Sequence, residues 1–208
     1  PSASPEALAE AHLSEGFPDV KSALEGARAI LVDRFATDAD LVGEVRDRVY
    51  KQGTMRSAPV EGKETEGAKF ADYFEFSEPF VTLPSHRILA LLRGEAEGVL
   101  TLNMDPGDEA VYEGMIAERF TLPVKESEWL AKAVRWGWRT KLQVSANLDT
   151  RMRLKEKAEE GALQVFKTNL RDVLLMDRPP AAIRVDEIAS FPAVSIPIGD
   201  DLFQAMIL

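Results

Sequence analysis

His86 is the side chain best suited to acid or base chemistry in this sequence, and it stands beside Arg87 at the predicted start of a helix. A histidine in that position could act as a base or polarise a substrate. It has no serine, cysteine or second histidine at a spacing typical of a catalytic motif. We therefore interpret His86 as a partly exposed structural residue rather than a general base.

Three carboxylates could recruit a divalent cation, because Asp105, Asp108 and Glu109 flank a predicted Pro-Gly turn. Their spacing does not match a calcium loop, and it favours a solvated acidic turn. The glycines at 62 and 67 are not followed by Lys-Ser or Lys-Thr, which argues against a phosphate-binding loop. The chain has no cysteine and two histidines, so thiol chemistry, zinc knuckles and iron-sulfur clusters are excluded. We predict no cofactor and no metal site, and we expect no enzymatic activity.

Positive charge is concentrated in one part of an otherwise acidic chain. The 208 residues carry 35 acidic and 25 basic side chains, a formal charge of −10. Residues 125–178 hold 12 basic and 8 acidic groups, whereas residues 61–124 hold 5 and 13. Such asymmetry can mark where an anionic partner binds, although long helices also collect lysine and arginine on solvated faces. We favour solvated helix faces over a binding surface, and we take the basic block as a region where an anionic partner could touch the chain.

Aromatic and basic residues are interleaved in that block. Trp129, Trp136 and Trp138 lie among four cations, which are Lys132, Arg135, Arg139 and Lys141. Proteins that bind single-stranded nucleic acids combine stacking aromatics with cations in this way. Trp129 and Trp136 are seven residues apart and share a helix face, whereas Trp138 points elsewhere, so at least one should be buried. We favour core packing of all three over a stacking platform.

Apolar residues recur at intervals of three and four along most of the chain, which predicts a mainly α fold, a helical bundle with one or two minor strands. The predicted helices begin at Pro5 behind the N-cap Ser4 and then cover about 19–35, 37–50, 70–76, 86–93, 109–120 and 127–144. A last predicted helix begins at Asn147 or Asp149 and ends near residue 176. Gly94 is expected to end the helix before it. The predicted strands are 99–104 and, more weakly, 54–60.

Two predicted helices carry extended apolar faces. The helix at 19–35 has a stripe that we assign to the core, formed by Val20, Ala23, Leu24, Ala27, Ile30, Leu31 and Phe35. The last helix has a second stripe, formed by Phe166, Leu170, Val173 and Leu174. The helices at 127–144 and 147–176 are predicted to form an antiparallel hairpin, because only a few residues separate them.

Four segments occur in order along the chain: ARAILVDRF at 27–35, KETEGAKFADYF at 63–74, LPSHRILALLRGEAEGVL at 83–100 and WLAKAVRWGWRTKL at 129–142. Together they resemble the helical amino-terminal half of the Tex family of bacterial transcription accessory proteins. A complete protein of that family continues into an RNase H-like domain, helix-hairpin-helix elements and an OB-fold RNA-binding domain. The resemblance implies that residues 1–178 are a helix-turn-helix-like scaffold, which can divide into two subdomains near residue 60 or 125.

The resemblance also implies a role in transcription and nucleic-acid binding, with RNA or DNA bound chiefly by the OB-fold domain and weakly by this region. The residues expected to contact nucleic acid are Arg87 and Arg93 in the matching SHR…RG motif and Lys132, Arg135, Arg139 and Lys141 in the basic block. Helix capping and packing remain an alternative role for Arg87 and Arg93. The alternative function is a helical module that docks on RNA polymerase or on other domains of its own protein, without touching nucleic acid.

Two further expectations concern the ends and the surroundings of the chain. The sequence has no apolar run of about 20 residues and no export signal at its amino end, so we expect a cytoplasmic location without membrane contact. Residues 179–208 match nothing in the family and are left unassigned, although Phe191 to Ile198 could form an edge strand.

Overall fold

The computed structural model describes residues 4–175, which fall into two compact units. The first unit comprises residues 4–56, Ser77–Val81 and Asn103–Arg151. The second comprises Ser57–Phe76, Thr82–Leu102 and residues 152–175. The unassigned tail, with its expected edge strand, lies outside the described residues.

Helices dominate the described chain, as the periodicity predicts. The α-helices are α1 Pro5–Glu10, α2 Val20–Thr37, α3 Ala39–Gln52, α4 Ser85–Ala96, α5 Glu109–Arg119, α6 Glu128–Gly137 and α7 Gln143–Leu174. A 3-10 helix covers Ala68–Tyr73, and a π-helical segment covers Trp138–Leu142. The strands are β1 Thr54–Pro59, β2 Phe76–Pro79 and β3 Leu100–Asp105, and they form one antiparallel sheet in the order β2-β1-β3.

Side-chain caps fix where most of these helices begin. The N-cap side chain accepts a hydrogen bond from a backbone N–H of the first turn at five helices, with Ser4, Asp19, Asp38, Asp108 and Ser127 as the caps. Each cap satisfies one of the free N–H groups that every helix leaves at its start. The predicted start at Thr37 is therefore wrong by two residues, because Asp38 caps α3 and Thr37 belongs to α2.

The core of the first unit is built where α2, α3, α5 and α6 meet. Phe35 of α2 is fully buried and contacts the ring of Phe120 at a centroid distance of 5.0 Å. Tyr112 of α5 stacks on Trp138, with ring centroids 4.3 Å apart and planes 2° from parallel. Leu41, Val45 and Val49 of α3 are buried. These contacts hold α5 and α6 side by side.

In the second unit, α4 does not end at Gly94. The helix continues to Ala96, and Gly94 is buried where a Cβ would meet Leu100 of β3. The glycine is needed for close packing of the helix on the strand rather than for a helix end. Ser85 is the first residue of α4, and its hydroxyl donates to the backbone carbonyl of Lys157 at 3.0 Å.

The antiparallel hairpin predicted for residues 127–176 is absent from the described chain. The backbone stays helical from α6 through the π-helical segment into α7, with helical dihedral angles at Trp138 and Gln143. Neither Asn147 nor Asp149 starts a new helix, because both lie inside α7. The segment contains neither proline nor a glycine in a left-handed conformation, and so nothing breaks the helix between Trp138 and Leu174.

The apolar face of α2 is only partly a core face. Of its seven predicted core residues only Phe35 is buried, and Ile30 is 64 % exposed. Val32, which the periodicity left out, is buried instead. The core prediction is therefore wrong for most of this stripe, since its other six residues are partly or fully exposed.

Candidate nucleic-acid interface

Three of the predicted nucleic-acid contacts lie on one face of the first unit. Lys132 and Arg135 belong to α6, and Arg139 lies in the π-helical segment that continues it. Their spacing of three and four places them on neighbouring turns of one helix face. All three side chains are more than half exposed. We call these three residues the basic ridge.

Carboxylates of the same unit neutralise the basic ridge. Arg139 donates through Nη2 to Oε2 of Glu109 at 2.7 Å, and Arg135 donates through Nε to Oε1 of Glu113 at 3.1 Å. Glu109 and Glu113 are four residues apart on α5, and they pair with two arginines that are also four residues apart on the neighbouring helix. Lys132 is paired within α6, with its Nζ 2.8 Å from Oε1 of Glu128.

These ion pairs are exposed and contribute little to stability. Exposed pairs of this kind contribute about 0 to 1 kcal/mol each, because water and salt screen the attraction. The ammonium group of Lys132 lowers the pKa of Glu128 through their hydrogen bond. The basic ridge is therefore a row of exposed cations whose charge is balanced by carboxylates of α5 and α6.

The other three predicted contacts do not join the basic ridge. Lys141 is exposed but stands two residues after Arg139, and residues two apart do not share a helix face. Arg87 and Arg93 belong to α4 in the second unit. Arg93 donates to Glu97 at 2.8 Å, and Lys69 pairs with the same carboxylate at 2.7 Å. The hydrogen bonds from Lys69 and Arg93 lower the pKa of Glu97.

The three tryptophans have three different environments. Trp138 is fully buried against Tyr112, as the sequence requires of at least one of them. Trp136 is 52 % exposed, and the guanidinium of Arg28 lies 4.9 Å from its ring centroid. Trp129 is partly exposed at the start of α6. The interpretation of all three as core residues is therefore wrong.

The acidic turn has structural partners for each of its carboxylates. Asp105 pairs with Arg56 at 2.7 Å and accepts a hydrogen bond from the backbone N–H of Gly107. Asp108 caps α5, and Glu109 binds Arg139. Within residues 4–175 no cluster of three histidine, aspartate or glutamate side chains is arranged to hold a metal ion. None of the helices described is long and apolar enough to cross a membrane.

Sequence reasoning missed the pairing of Glu109 and Glu113 with the basic ridge. A signal was present, because two glutamates four apart stand on one predicted helix and two arginines four apart stand on the next. Pairing these glutamates with these arginines requires knowing that the two helices lie side by side, and no local sequence pattern indicates that.

Comparison with known proteins identifies the family. Residues 1–166 match the family described as Tex central region-like. The Transcriptional accessory protein Tex of Neisseria gonorrhoeae is 47 % identical over 177 residues, covering 82 % of this chain and 23 % of the relative. Protein tex of Bordetella pertussis is 42 % identical over 193 residues, covering 84 % and 24 %, and Protein YhgF of Escherichia coli is 40 % identical over 196 residues, covering 88 % and 25 %. The chain thus spans about a quarter of the length of these relatives.

Proposed function

Since the chain belongs to the Tex family, we propose that it serves in transcription as a helical scaffold that makes weak, salt-sensitive contacts with nucleic acid through the basic ridge. The observation that carries the proposal is the position of Lys132, Arg135 and Arg139 on successive turns, where they are exposed and form surface ion pairs. The name of the Neisseria gonorrhoeae relative as a transcriptional accessory protein supports the role in transcription.

The exchange of partners explains why the contact should be weak. A phosphate that binds Arg135 or Arg139 must displace Glu113 or Glu109, and both carboxylates then lie near the bound strand. The binding free energy gained is therefore the difference between the arginine–phosphate and the arginine–carboxylate interactions, and not the full arginine–phosphate interaction. Chain charge adds to this effect, because a formal charge of −10 repels the phosphate backbone at a distance. We expect measurable binding only at low salt.

Charge reversal at two ridge positions tests the proposal. Binding of a fluorescein-labelled single-stranded RNA of about 20 nucleotides is measured by anisotropy at several salt concentrations. Arg135→Glu with Arg139→Glu should lower the slope of log affinity against log salt by about 1.4, since each phosphate contact on a single strand contributes about 0.7. The control, Lys51→Glu with Lys125→Glu, makes the same change in net charge on exposed residues of the same unit. Equal losses in both variants would contradict a contact at the basic ridge.

A second candidate function is docking onto other domains of a longer protein, and the exposed end of α7 favours it. Phe166, Leu170 and Val173 form the predicted apolar stripe there, and all three are exposed. An apolar helix face is normally covered. The occupant we propose is the remainder of the longer protein, because the chain spans about a quarter of its relatives' length.

A single cysteine tests this docking, because the natural sequence has none. Leu170→Cys is labelled with a polarity-sensitive dye and mixed with the remaining part of Escherichia coli YhgF. Docking should shift the emission to shorter wavelength, whereas the same label at Leu148→Cys should not respond. A shift with purified RNA polymerase but not with the YhgF part would make RNA polymerase the occupant of this surface. No shift with either protein would contradict the docking function.

A further inference from the structure

An apolar groove of about 1160 Å³ lies in the first unit, between α1, α2 and the start of α6. Leu8 of α1 and Ile30 of α2 contribute exposed aliphatic side chains to it, and Trp129 lines it from α6. Phe17 forms part of the wall, with its ring over the position where Gly26 has no side chain. The groove is separate from Arg135 and Arg139, neither of which lines it.

The groove explains why the apolar stripe of α2 is not buried. Towards its carboxyl end α2 is covered by α6, which approaches closely because Gly137 lies against Phe35. Towards its amino end the neighbour is α1, which has only six residues. Ala23, Ala27 and Ile30 consequently line an open surface. An amphipathic stripe of this kind, left without a helix on it, is a surface on which another helix can pack.

The rim of the groove is acidic. Glu6, Glu126 and Glu128 are among the lining residues, and Lys132 is the one lysine or arginine among them. Lys132 is already paired with Glu128. An occupant with positive side chains beside an apolar stripe would complement this rim, whereas the phosphates of a nucleic acid would be repelled by it.

We propose that this groove binds an amphipathic helix of a partner protein, in which lysine or arginine residues flank a stripe of leucine, isoleucine or phenylalanine. Three turns of helix are about 16 Å long and present three or four apolar side chains to such a groove. This inference goes beyond the scaffold function and does not depend on the nucleic-acid contact. The acidic rim of the groove selects the positive charge of the partner helix. The apolar floor selects the spacing of its apolar side chains.

A designed peptide tests the site directly. The probe is a 15-residue helix of leucine, alanine and lysine, with leucines at intervals of three and four and lysines on both flanks. It is titrated into the ¹⁵N-labelled chain, and the three indole N–H signals are followed by NMR. The Trp129 signal should move because this residue lines the groove, while the signal of the fully buried Trp138 should stay in place. Movement of all three signals together, or of none, would overturn the proposal.

Matched variants separate the apolar floor from the acidic rim. Ile30→Ser should weaken peptide binding about tenfold, the effect expected from one lost aliphatic contact. Leu148→Ser is the control, because Leu148 is 62 % exposed on α7 and lies outside the groove. Both positions are exposed, so both variants should fold normally. Equal affinities of the two variants would contradict binding at the groove.

The rim is tested by charge in both partners. Glu6→Gln with Glu126→Gln should weaken binding about threefold, as expected for two exposed charge pairs, and should do so more than Glu44→Gln with Glu118→Gln. A peptide with glutamate in place of lysine should bind the natural chain at least about threefold more weakly than the lysine peptide does. Equal affinities of the lysine peptide and the glutamate peptide would contradict the proposal that the partner helix is basic. Self-association of the chain, seen by sedimentation and abolished by Ile30→Ser, would make a second copy the occupant and overturn the proposal.

Discussion

Replacing Gly137 by alanine should weaken the first unit, although alanine is the better helix former. Gly137 ends α6 and is buried against α2. A Cβ at this position would lie 2.7 Å from Cδ2 of Phe35 and 3.5 Å from Cγ2 of Val32. Phe35 is fully buried against Phe120, so its ring cannot move aside without losing its own contacts. The new methyl group must therefore push the two helices apart.

Two opposing contributions determine the size of the effect. Alanine in place of glycine in a helix stabilises it by up to about 1 kcal/mol. An extra methyl group forced into a packed core costs about 1 to 3 kcal/mol. The free energy of unfolding should therefore fall by about 1 kcal/mol in Gly137→Ala. Gly114→Ala is the matched control, because Gly114 is an exposed residue of α5 and no described atom lies within 4 Å of its Cβ position. It should gain about 0.5 to 1 kcal/mol.

Urea unfolding followed by tryptophan fluorescence measures both variants. All three tryptophans belong to the first unit, so the signal reports that unit even when the two units unfold separately. Gly137→Ala should be less stable than the natural chain by about 1 kcal/mol, and Gly114→Ala more stable. A gain in Gly137→Ala equal to that in Gly114→Ala would refute the close packing of α6 on α2.

Three further predictions concern single contacts. Thr150 is fully buried and its hydroxyl has no hydrogen-bond partner among the described residues, so Thr150→Val should raise the unfolding free energy by about 1 kcal/mol; a loss would mean that the hydroxyl is satisfied. Gly161→Ala should destabilise the second unit by about 1 kcal/mol in thermal unfolding followed by circular dichroism, because its Cβ would meet Ser85; unchanged stability would contradict that contact. The hydrogen bond from the Leu41 N–H and the pairing with Arg119 lower the pKa of Asp38, so its charge stabilises the fold above its unfolded-state pKa and this contribution is lost as pH falls through the lower folded-state value. Asp38→Asn should therefore be less stable at pH 7, with a difference from the natural chain that shrinks below about pH 4; a constant difference would exclude the charge.

Local patterns predicted the elements of this fold better than their packing. Helix starts at Ser4, Asp19 and Ser127 follow from side chains that satisfy backbone N–H groups one turn away, which is information carried by neighbouring residues. Gly94 was misread because the same residue type ends helices and permits close approach, and only the contact with Leu100 distinguishes the two roles.

Tertiary partners decided what the local patterns could not. The stripe on α2 has the periodicity of a core face, but burial depends on whether another helix covers it, and Ile30 is uncovered. The basic block was recognisable as charge, whereas its pairing with Glu109 and Glu113 depends on α5 lying beside α6. The family resemblance was confirmed by the comparisons, and the nucleic-acid contacts it implies stay a prediction.

Removing the carboxylates that balance the basic ridge tests the proposed nucleic-acid contact most directly. Glu109→Gln with Glu113→Gln frees Arg139 and Arg135 without changing either arginine. Anisotropy of the labelled single-stranded RNA at low salt should then show tighter binding than the natural chain, with a steeper dependence on salt. Glu44→Gln with Glu118→Gln makes the same change in net charge at exposed positions and should strengthen binding less. Identical affinities and salt slopes in the two double variants would contradict a nucleic-acid contact through the basic ridge.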